Sequence, residues 1–253
     1  MKVCVLSSGS GGNSTFISSS GSSLIIDAGI SCKRILERLR SASCDPGGIG
    51  GILVTHDHSD HISGAGTLSR KLKVPVYIHE ENWRSCRERF NKCEVHFIKG
   101  NFFVGDFFVE PFPVSHDGTL NYGFCVHSEE KKITHLTDTG TVTSVIRQRI
   151  TGSHIMILES NHDPEMLRKG PYPWYLKQRI AGNLGHLSNK DACKLISESG
   201  MTGLKHLILA HLSKENNDPV LAYDLMEETR ESSGMDFRIC VAPQDTALEP
   251  VEI

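Results

Sequence analysis

The chain has 253 residues, 38% hydrophobic and 23% charged, with a formal net charge of −3. This is room for one large α/β domain or two small ones, and the mild negative charge excludes a global attraction to nucleic acid or anionic membrane; bound divalent cations or a local basic patch could still outweigh it. No stretch approaches the roughly 18–20 apolar residues of a membrane span, and the eight cysteines (4, 32, 44, 86, 93, 125, 193, 240) form no C-x-x-C pair, which suits free thiols in a reducing cytoplasm.

In chain order, residues 3–6 read as a first strand, because a four-residue apolar run before Ser7-Ser8-Gly9-Ser10 is too short for a signal peptide. Strands are expected at 15–17 and 24–26, the second ending in Asp27-Ala28-Gly29, and a helix over 32–39. The apolar run within 51–55 reads as a buried strand. It runs directly into His56-Asp57-His58-Ser59-Asp60-His61, with a helix near 62–72 after it. Strands follow at 76–78, 95–98, 107–114, 122–126, 132–136 and 154–158. Helices near 189–199 and 219–232, with strands at 206–209 and 237–241, complete the order. No linker, repeat or low-complexity segment interrupts it. The pattern suits an α/β fold of two sheets packed face to face with helices outside, as a single domain over 1–253.

Three imidazoles and two carboxylates within six positions are hard to explain as core or ordinary loop, and easy to explain as a metal site. His56 and His58 alternate by two, so an extended backbone points both at one metal. Asp60 and His61 follow where the chain turns toward a helix, and can reach a second. Four later strands also end in a potential ligand: His116 after Val114-Ser115, Asp138 after Leu136-Thr137, Glu159 after Leu158, and His211 after Leu209-Ala210. Strands that terminate in His, Asp or Glu place those groups along one rim of a sheet.

Asp27-Ala28-Gly29, His56-x-His58-x-Asp60-His61, His116, Asp138 and His211 resemble the five ordered motifs of the metallo-β-lactamase superfamily. The resemblance implies a four-layer αββα sandwich with a dinuclear metal site at the sheet edge. It implies His56, His58 and His116 on one metal, Asp60, His61 and His211 on the other, Asp138 bridging, and Asp27 holding the His loop. Asp138 stands where the common dizinc β-lactamases carry Cys, which points to the hydrolases with a carboxylate bridge. Three further segments are similar to the YycJ/WalJ group of bacterial metallohydrolases: Ser7–Ser14, Glu159-Ser160-Asn161-His162-Asp163, and Gly185-His186-Leu187-Ser188-Asn189 with His211–Asn217. That group is related to RNase Z and the phosphonate-pathway phosphodiesterases and is associated with 5′→3′ DNA exonuclease activity.

The implied function is a phosphodiesterase or nuclease, a 5′→3′ DNA exonuclease with DNA as partner. Phosphodiester hydrolysis needs large transition-state stabilisation. Two divalent cations about 3.5–4 Å apart can share a bridging hydroxide nucleophile and neutralise phosphoryl charge. Histidine and carboxylate donors suit zinc, manganese or iron alike. The resemblance marks Asp60 and His186 as catalytic groups, with His186 the general acid for the leaving oxygen and Glu159 its orienting partner. A helix-flanking role for His186 stays open, as do an accessory-ligand and a structural role for His162.

Asn13, in the Gly/Ser-rich turn, and Ser188 and Asn189 are candidate substrate contacts; a tight turn and a helix cap are their simpler readings. Residues 164–194 carry six basic against two acidic residues, with Tyr172, Trp174 and Tyr175 among them. This segment suits either a nucleic-acid track or a solvated helix. The alternative function is a small-molecule hydrolase of the same fold, a cyclic-phosphate phosphodiesterase or a glyoxalase II-like thioesterase. A non-enzymatic metal-binding or redox-sensing scaffold leaves the full ligand set and His186 unexplained.

Overall fold

The computed structural model describes residues 1–253. Its first half runs β1 (Lys2–Ser7), β2 (Ser14–Ser19), β3 (Ser22–Ile26), α1 (Cys32–Ser41), β4 (Ile49–Leu53), α2 (Ser59–Ile62), α3 (Ala65–Leu72), β5 (Val76–Ile78), α4 (Glu80–Cys86) and β6 (Val95–Phe97). The second half runs β7 (Phe102–Val104), β8 (Phe107–Pro113), β9 (Tyr122–Ser128), β10 (Lys131–Leu136), α5 (Ser144–Ile150), β11 (Ile155–Glu159), α6 (Pro164–Lys169), α7 (Trp174–Ile180), α8 (Asn189–Glu198), β12 (His206–Ala210), α9 (Pro219–Ser232), β13 (Arg238–Val241) and β14 (Val251–Glu252).

The chain builds two seven-stranded sheets, in the orders β14-β1-β2-β3-β4-β5-β6 and β13-β12-β11-β10-β9-β8-β7, the first completed by the C-terminal strand β14 beside β1. Most strands are buried on both faces, so they read as continuous apolar runs rather than as alternation. Alternate side chains nevertheless go to different layers. Val3, Val5, Leu24 and Ile26 of the first sheet meet Phe107, Val109, Phe124, Val126 and Ile157 of the second between the sheets. Cys4, Leu6 and Ile25 face outward onto Ile35 and Leu39 of α1 and Leu68 of α3. On the other side, Leu136, Met156, Leu158 and Leu209 pack against Ile146 of α5, Leu195 and Ile196 of α8, and Met226 of α9. Three apolar layers thus separate four structural ones, the expected αββα sandwich. Burying one such aliphatic or aromatic side chain contributes about 1.5–3 kcal/mol. No helix is long and apolar enough to cross a membrane, and all eight cysteines are free.

Strand direction positions the site. β3, β4, β5 and β6 run parallel, as do β10, β11, β12 and β13. β8 is antiparallel to β9 and β9 to β10, so β8 ends on the same edge as β10. Ligand sites in open α/β sheets lie outside the carboxyl ends of such strands.

The structure departs from the sequence reading where elements are short or broken. The helix expected over 62–72 is two pieces, α2 and α3. Gly64 between them donates its N–H to Ala28 O at 2.7 Å, so close to the 28–30 backbone that a Cβ would meet Ile30 O at 2.0 Å. β4 ends at Leu53, which frees Val54 and Thr55 to lead the histidine loop. The sequence reading did not include β7, β14, α4 or α5, and offered α6 and α7 only as an unbounded solvated helix within 164–194; each has seven residues or fewer, too few for a period to register.

Arg38 locks the outer helix layer to the sheet edge. It is buried, and donates through Nη1 to Leu6 O at 2.8 Å and through Nη2 to Asp245 O at 2.7 Å. Arg38→Met is expected to lower the unfolding free energy by about 2–3 kcal/mol, because it strands the buried Leu6 carbonyl and removes a second charged donor bond to Asp245 O. Urea unfolding monitored by circular dichroism checks this; a change below about 0.5 kcal/mol would remove the assignment.

Candidate metal centre

The strand ends deliver the donors. β3 leads to Asp27, β4 to His56, β8 to His116, β10 to Asp138, β11 ends on Glu159, and β12 leads to His211. Asp27, Asp138 and His211 have φ of 57°, 56° and 58°. This left-handed region is uncommon for non-glycine residues and costs of order 1–3 kcal/mol each. Each residue turns the chain sharply off its strand, so that its side chain enters the space between the sheet edges.

Asp27 is fully buried and organises the histidine loop. Its Oδ2 accepts from His61 Nδ1 at 2.7 Å and from Thr55 Oγ1 at 2.8 Å, and its Oδ1 accepts from Thr55 N–H at 2.9 Å. The Thr55 hydroxyl has thereby spent its one proton, so at 3.0 Å it accepts from His56 Nδ1. His116 Nδ1 donates to Gly185 O at 3.0 Å. On the opposite wall, Glu159 Oε1 accepts from His186 Nδ1 and His211 Nδ1, both at 2.8 Å, while Oε2 accepts from the N–H groups of Thr139 and Leu187, both at 3.0 Å. An acceptor behind each ring fixes its tautomer, which leaves the Nε2 lone pairs of His56, His61, His116, His186 and His211 facing inward.

Four overlapping groups of donors result: His56 with His58 and His116; Asp60 with His61 and His211; His56 with His61 and Asp138; and Asp138 with Glu159, His186 and His211, the last joined through Nδ1 of the two histidines behind the rings. Within each group the donor atoms lie within 4.8 Å of one another. His56 Nε2, Asp138 Oδ2 and His211 Nε2 are buried and have no hydrogen-bond partner. Buried polar atoms rarely go unpaired, and three of them converging at one place, all imidazole or carboxylate, fit divalent cations. The protein binds divalent metal here.

Electrostatics agree. Asp27, Asp60, Asp138 and Glu159 make ion pairs only with histidines. Burial pushes Glu159 up, but the His186 charge and the hydrogen bonds from His186 and His211 outweigh it and hold the carboxyl at about 2. Burial likewise opposes ionisation of Asp138, which the charges of His211, His61 and His56 hold well below the carboxylate range. His211 is pushed the other way, to about 10: burial lowers it, but Asp138, Asp60 and Glu159 more than compensate. Against burial, the carboxylates likewise hold His61 well above the usual imidazole range, and the protons on His61 and His211 occupy positions where cations would satisfy the same carboxylates.

A cavity of about 220 Å³ opens onto the donors, lined by His58, Asp60, His116, Asp138, His186 and His211, and walled by Ser10, Asn161, Ser213, Tyr172, Arg179 and Ile180. Several residues singled out in the sequence do not reach it. Asn13 is buried, with Nδ2 3.1 Å from His61 Nε2 and 3.4 Å from Asp60 Oδ2. Ser188 caps α8 by accepting from Asp191 N–H. Asn189 exchanges hydrogen bonds with Ser160 and Asn217. His162 lies outside every donor group, in a short bridge with Ser188, its Nδ1 buried and unpartnered. Three contributors were not assigned from sequence: Thr55; Asn161, which donates to His211 O at 2.8 Å; and Asp117, whose Oδ1 lies 3.4 Å from His116 Nε2 and 3.6 Å from His58 Nε2. Each directly follows or precedes a motif residue, a signal too weak to assign a role.

Comparison with known proteins agrees with this architecture. A family model described as a β-lactamase superfamily domain matches residues 23–212. The solved structure of the metallo-β-lactamase fold protein YhfI from Bacillus subtilis superposes with a TM-score of 0.72 at 18% identity, covering 98% of this chain and 99% of its own. The chain is a metal-dependent hydrolase of the metallo-β-lactamase superfamily. It is 38% identical to the exodeoxyribonuclease YycJ of Bacillus anthracis over 91% of this chain and 89% of that one. It is 36% identical to the exodeoxyribonuclease WalJ of Streptococcus pneumoniae over 100% and 98%. Within the superfamily, it belongs to the YycJ/WalJ family.

Gly29 lets the motif loops touch. It donates its N–H to Asn13 O at 2.8 Å, Asn13 N–H donates to Asp60 O at 2.7 Å, and a Cβ on Gly29 would stand 1.6 Å from Asp60 O. Gly29→Ala must therefore move the loop that carries Asp60 and His61, at a cost of about 1–3 kcal/mol. The expected result is a lower thermal midpoint together with reduced metal content by elemental analysis. Wild-type metal content in a folded variant would show that the close approach does not matter.

Proposed function

We propose that this protein is a dinuclear-metal phosphodiesterase that degrades DNA from the 5′ end. The observation that carries the reading is the convergence of two His/Asp donor groups beside His186 in a chain 36–38% identical to proteins named exodeoxyribonucleases. His56, His58 and His116 would hold one cation, Asp60, His61 and His211 the other, with Asp138 shared. Zinc, manganese and iron all suit this set, because no thiolate enters it. When bound, the pair supplies an activated water and charge neutralisation at the phosphoryl group.

The chain's own groups do the rest. His186 is held through Nδ1 by Glu159, so that as an imidazolium, with a second proton on Nε2, it can deliver that proton to the leaving sugar oxygen. Asp27 keeps His61 and Thr55 in register. The exposed rings of Trp174 and Tyr175 on α7, beside the Arg179 and Ile180 that line the cavity, suit stacking with bases. The small cavity volume favours a second reading, hydrolysis of a small phosphodiester.

The decisive experiment digests end-labelled duplex DNA, 5′-phosphorylated or not, with Mn²⁺, using His58→Ala as the blank. Progressive loss from the 5′ end, absent in the blank, is the expected result. Turnover of bis-p-nitrophenyl phosphate without DNA cleavage would instead favour the small-molecule reading.

Asp138→Ala is expected to abolish hydrolysis while the circular dichroism spectrum stays native. His186→Ala is expected to slow it by about 10²–10⁴-fold. A general acid must be protonated, so the wild-type rate should decline on the alkaline side and the His186→Ala rate should lose that decline. An unchanged alkaline limb in the variant would exclude His186 as the acid.

A further inference from the structure

Arg179 stands in the cavity wall with its chemistry only partly used. Its Nε donates to Asp117 Oδ2 at 2.5 Å, while its two terminal nitrogens make no hydrogen bond within the protein. The side chain is 56% exposed. Asp117 faces both ways, with Oδ2 on the arginine and Oδ1 toward Nε2 of His58 and His116. One carboxylate therefore sets how far the guanidinium stands from the donor group of His56, His58 and His116.

The helix that carries Arg179 is itself registered to the site. Ile180 O accepts from His186 N–H at 2.9 Å, and Thr141 Oγ1 donates to Asn183 O at 3.0 Å. Gly140, two residues past Asp138, lies so close to the same turn that a Cβ would meet Gly182 O at 2.3 Å. Arg179 is thus held against the site and is not a loose surface cation.

An exposed ion pair contributes little to stability by itself. Asp117 lies between the guanidinium and the donor group of His56, His58 and His116, so Arg179 can stand beside divalent cations with its two terminal nitrogens free. The cavity is lined as well by Ser10, Ser213 and Asn161, all uncharged. A planar fork with two free N–H groups matches phosphate oxygens in bidentate fashion.

We propose that Arg179, seated by Asp117, is a phosphate-binding residue of the substrate site and grips non-bridging oxygens through its two terminal nitrogens. This rests on the phosphodiesterase reading above. Asp117 is a positioning residue that acts through Arg179.

The test titrates inorganic phosphate calorimetrically into metal-loaded wild type, Arg179→Ala, Asp117→Asn and the double variant, with metal content checked in each. Arg179→Ala is expected to weaken phosphate binding about tenfold at unchanged metal content. Asp117→Asn is expected to weaken it less, with no further loss in the Arg179→Ala background, because the two act as one unit. Wild-type affinity in Arg179→Ala, or no phosphate binding by wild type, would overturn the assignment. An added loss in the double variant would overturn the role of Asp117. If the pattern holds but DNA is not cleaved, the DNA reading fails and Arg179 stands. If Arg179→Ala cleaves DNA with wild-type KM, Arg179 fails and the DNA reading stands.

Discussion

The rings of this site are useful because each is tied down from behind. A histidine can present either nitrogen, and a free ring samples both faces. Here a carboxylate, a carbonyl or a spent hydroxyl receives Nδ1 of His56, His61, His116, His186 and His211, so all five offer Nε2 to one space. Two buried carboxylates do most of this. Asp27 serves His61 directly and His56 through Thr55, and Glu159 serves His186 and His211 with a single oxygen. Such shared acceptors make the site a network in which one lost partner disturbs two rings, so its parts do not contribute independently.

The fold makes that network affordable. Carboxylates with no protein cation beside them are costly to bury, and three left-handed residues add backbone strain. Both costs fall at strand termini, where ladder hydrogen bonds and three apolar layers anchor the chain a few residues away. The approach of the loops is equally exacting. Gly29 against Asp60, and Gly140 against the 182–185 turn, bring backbones nearer than any side chain would permit. The face-to-face arrangement of two seven-stranded sheets, one of β1–β6 with the C-terminal β14 and the other of β7–β13, lets donors far apart in sequence meet at a common edge.

Much of this was legible in the chain, for physical reasons. Strands buried on both faces leave unbroken apolar runs, so β1, β4, β11 and β12 announce themselves, and a ligand directly after such a run must lie at a sheet edge. His56-x-His58-x-Asp60-His61 is dense enough to stand alone. What was hidden depends on neighbours in space. Thr55 matters because Asp27 takes its proton, and Asp117 because Arg179, 62 residues on, reaches it. The Gly185–Asn189 segment was legible as special, with two roles open for each of its polar residues: His186 faces the cavity, while Ser188 and Asn189 take the simpler reading and turn away, into a helix cap and a network with Ser160 and Asn217. Motif density marks importance; only the backbone path separates the residues that meet a substrate from those that hold the backbone still.

The charge distribution bears on how a chain of net charge −3 could engage an anionic strand. The basic segment is less available than its composition suggests. Arg168 and Lys169 share Glu165, Lys194 pairs with Glu198, and Arg179 with Asp117. Only Lys177 and Lys190 of its six cations have no carboxylate partner, so a continuous electrostatic track along the surface is weak. On the proposed reading, attraction for phosphate would concentrate instead where divalent cations bind and where the Arg179 guanidinium keeps two free nitrogens. Binding energy placed at the reacting phosphate can grow as charge develops there, whereas energy spread along a strand is felt equally before and during reaction. On that reading, a site built this way would trade grip on a whole polymer for differential stabilisation at the one bond it breaks.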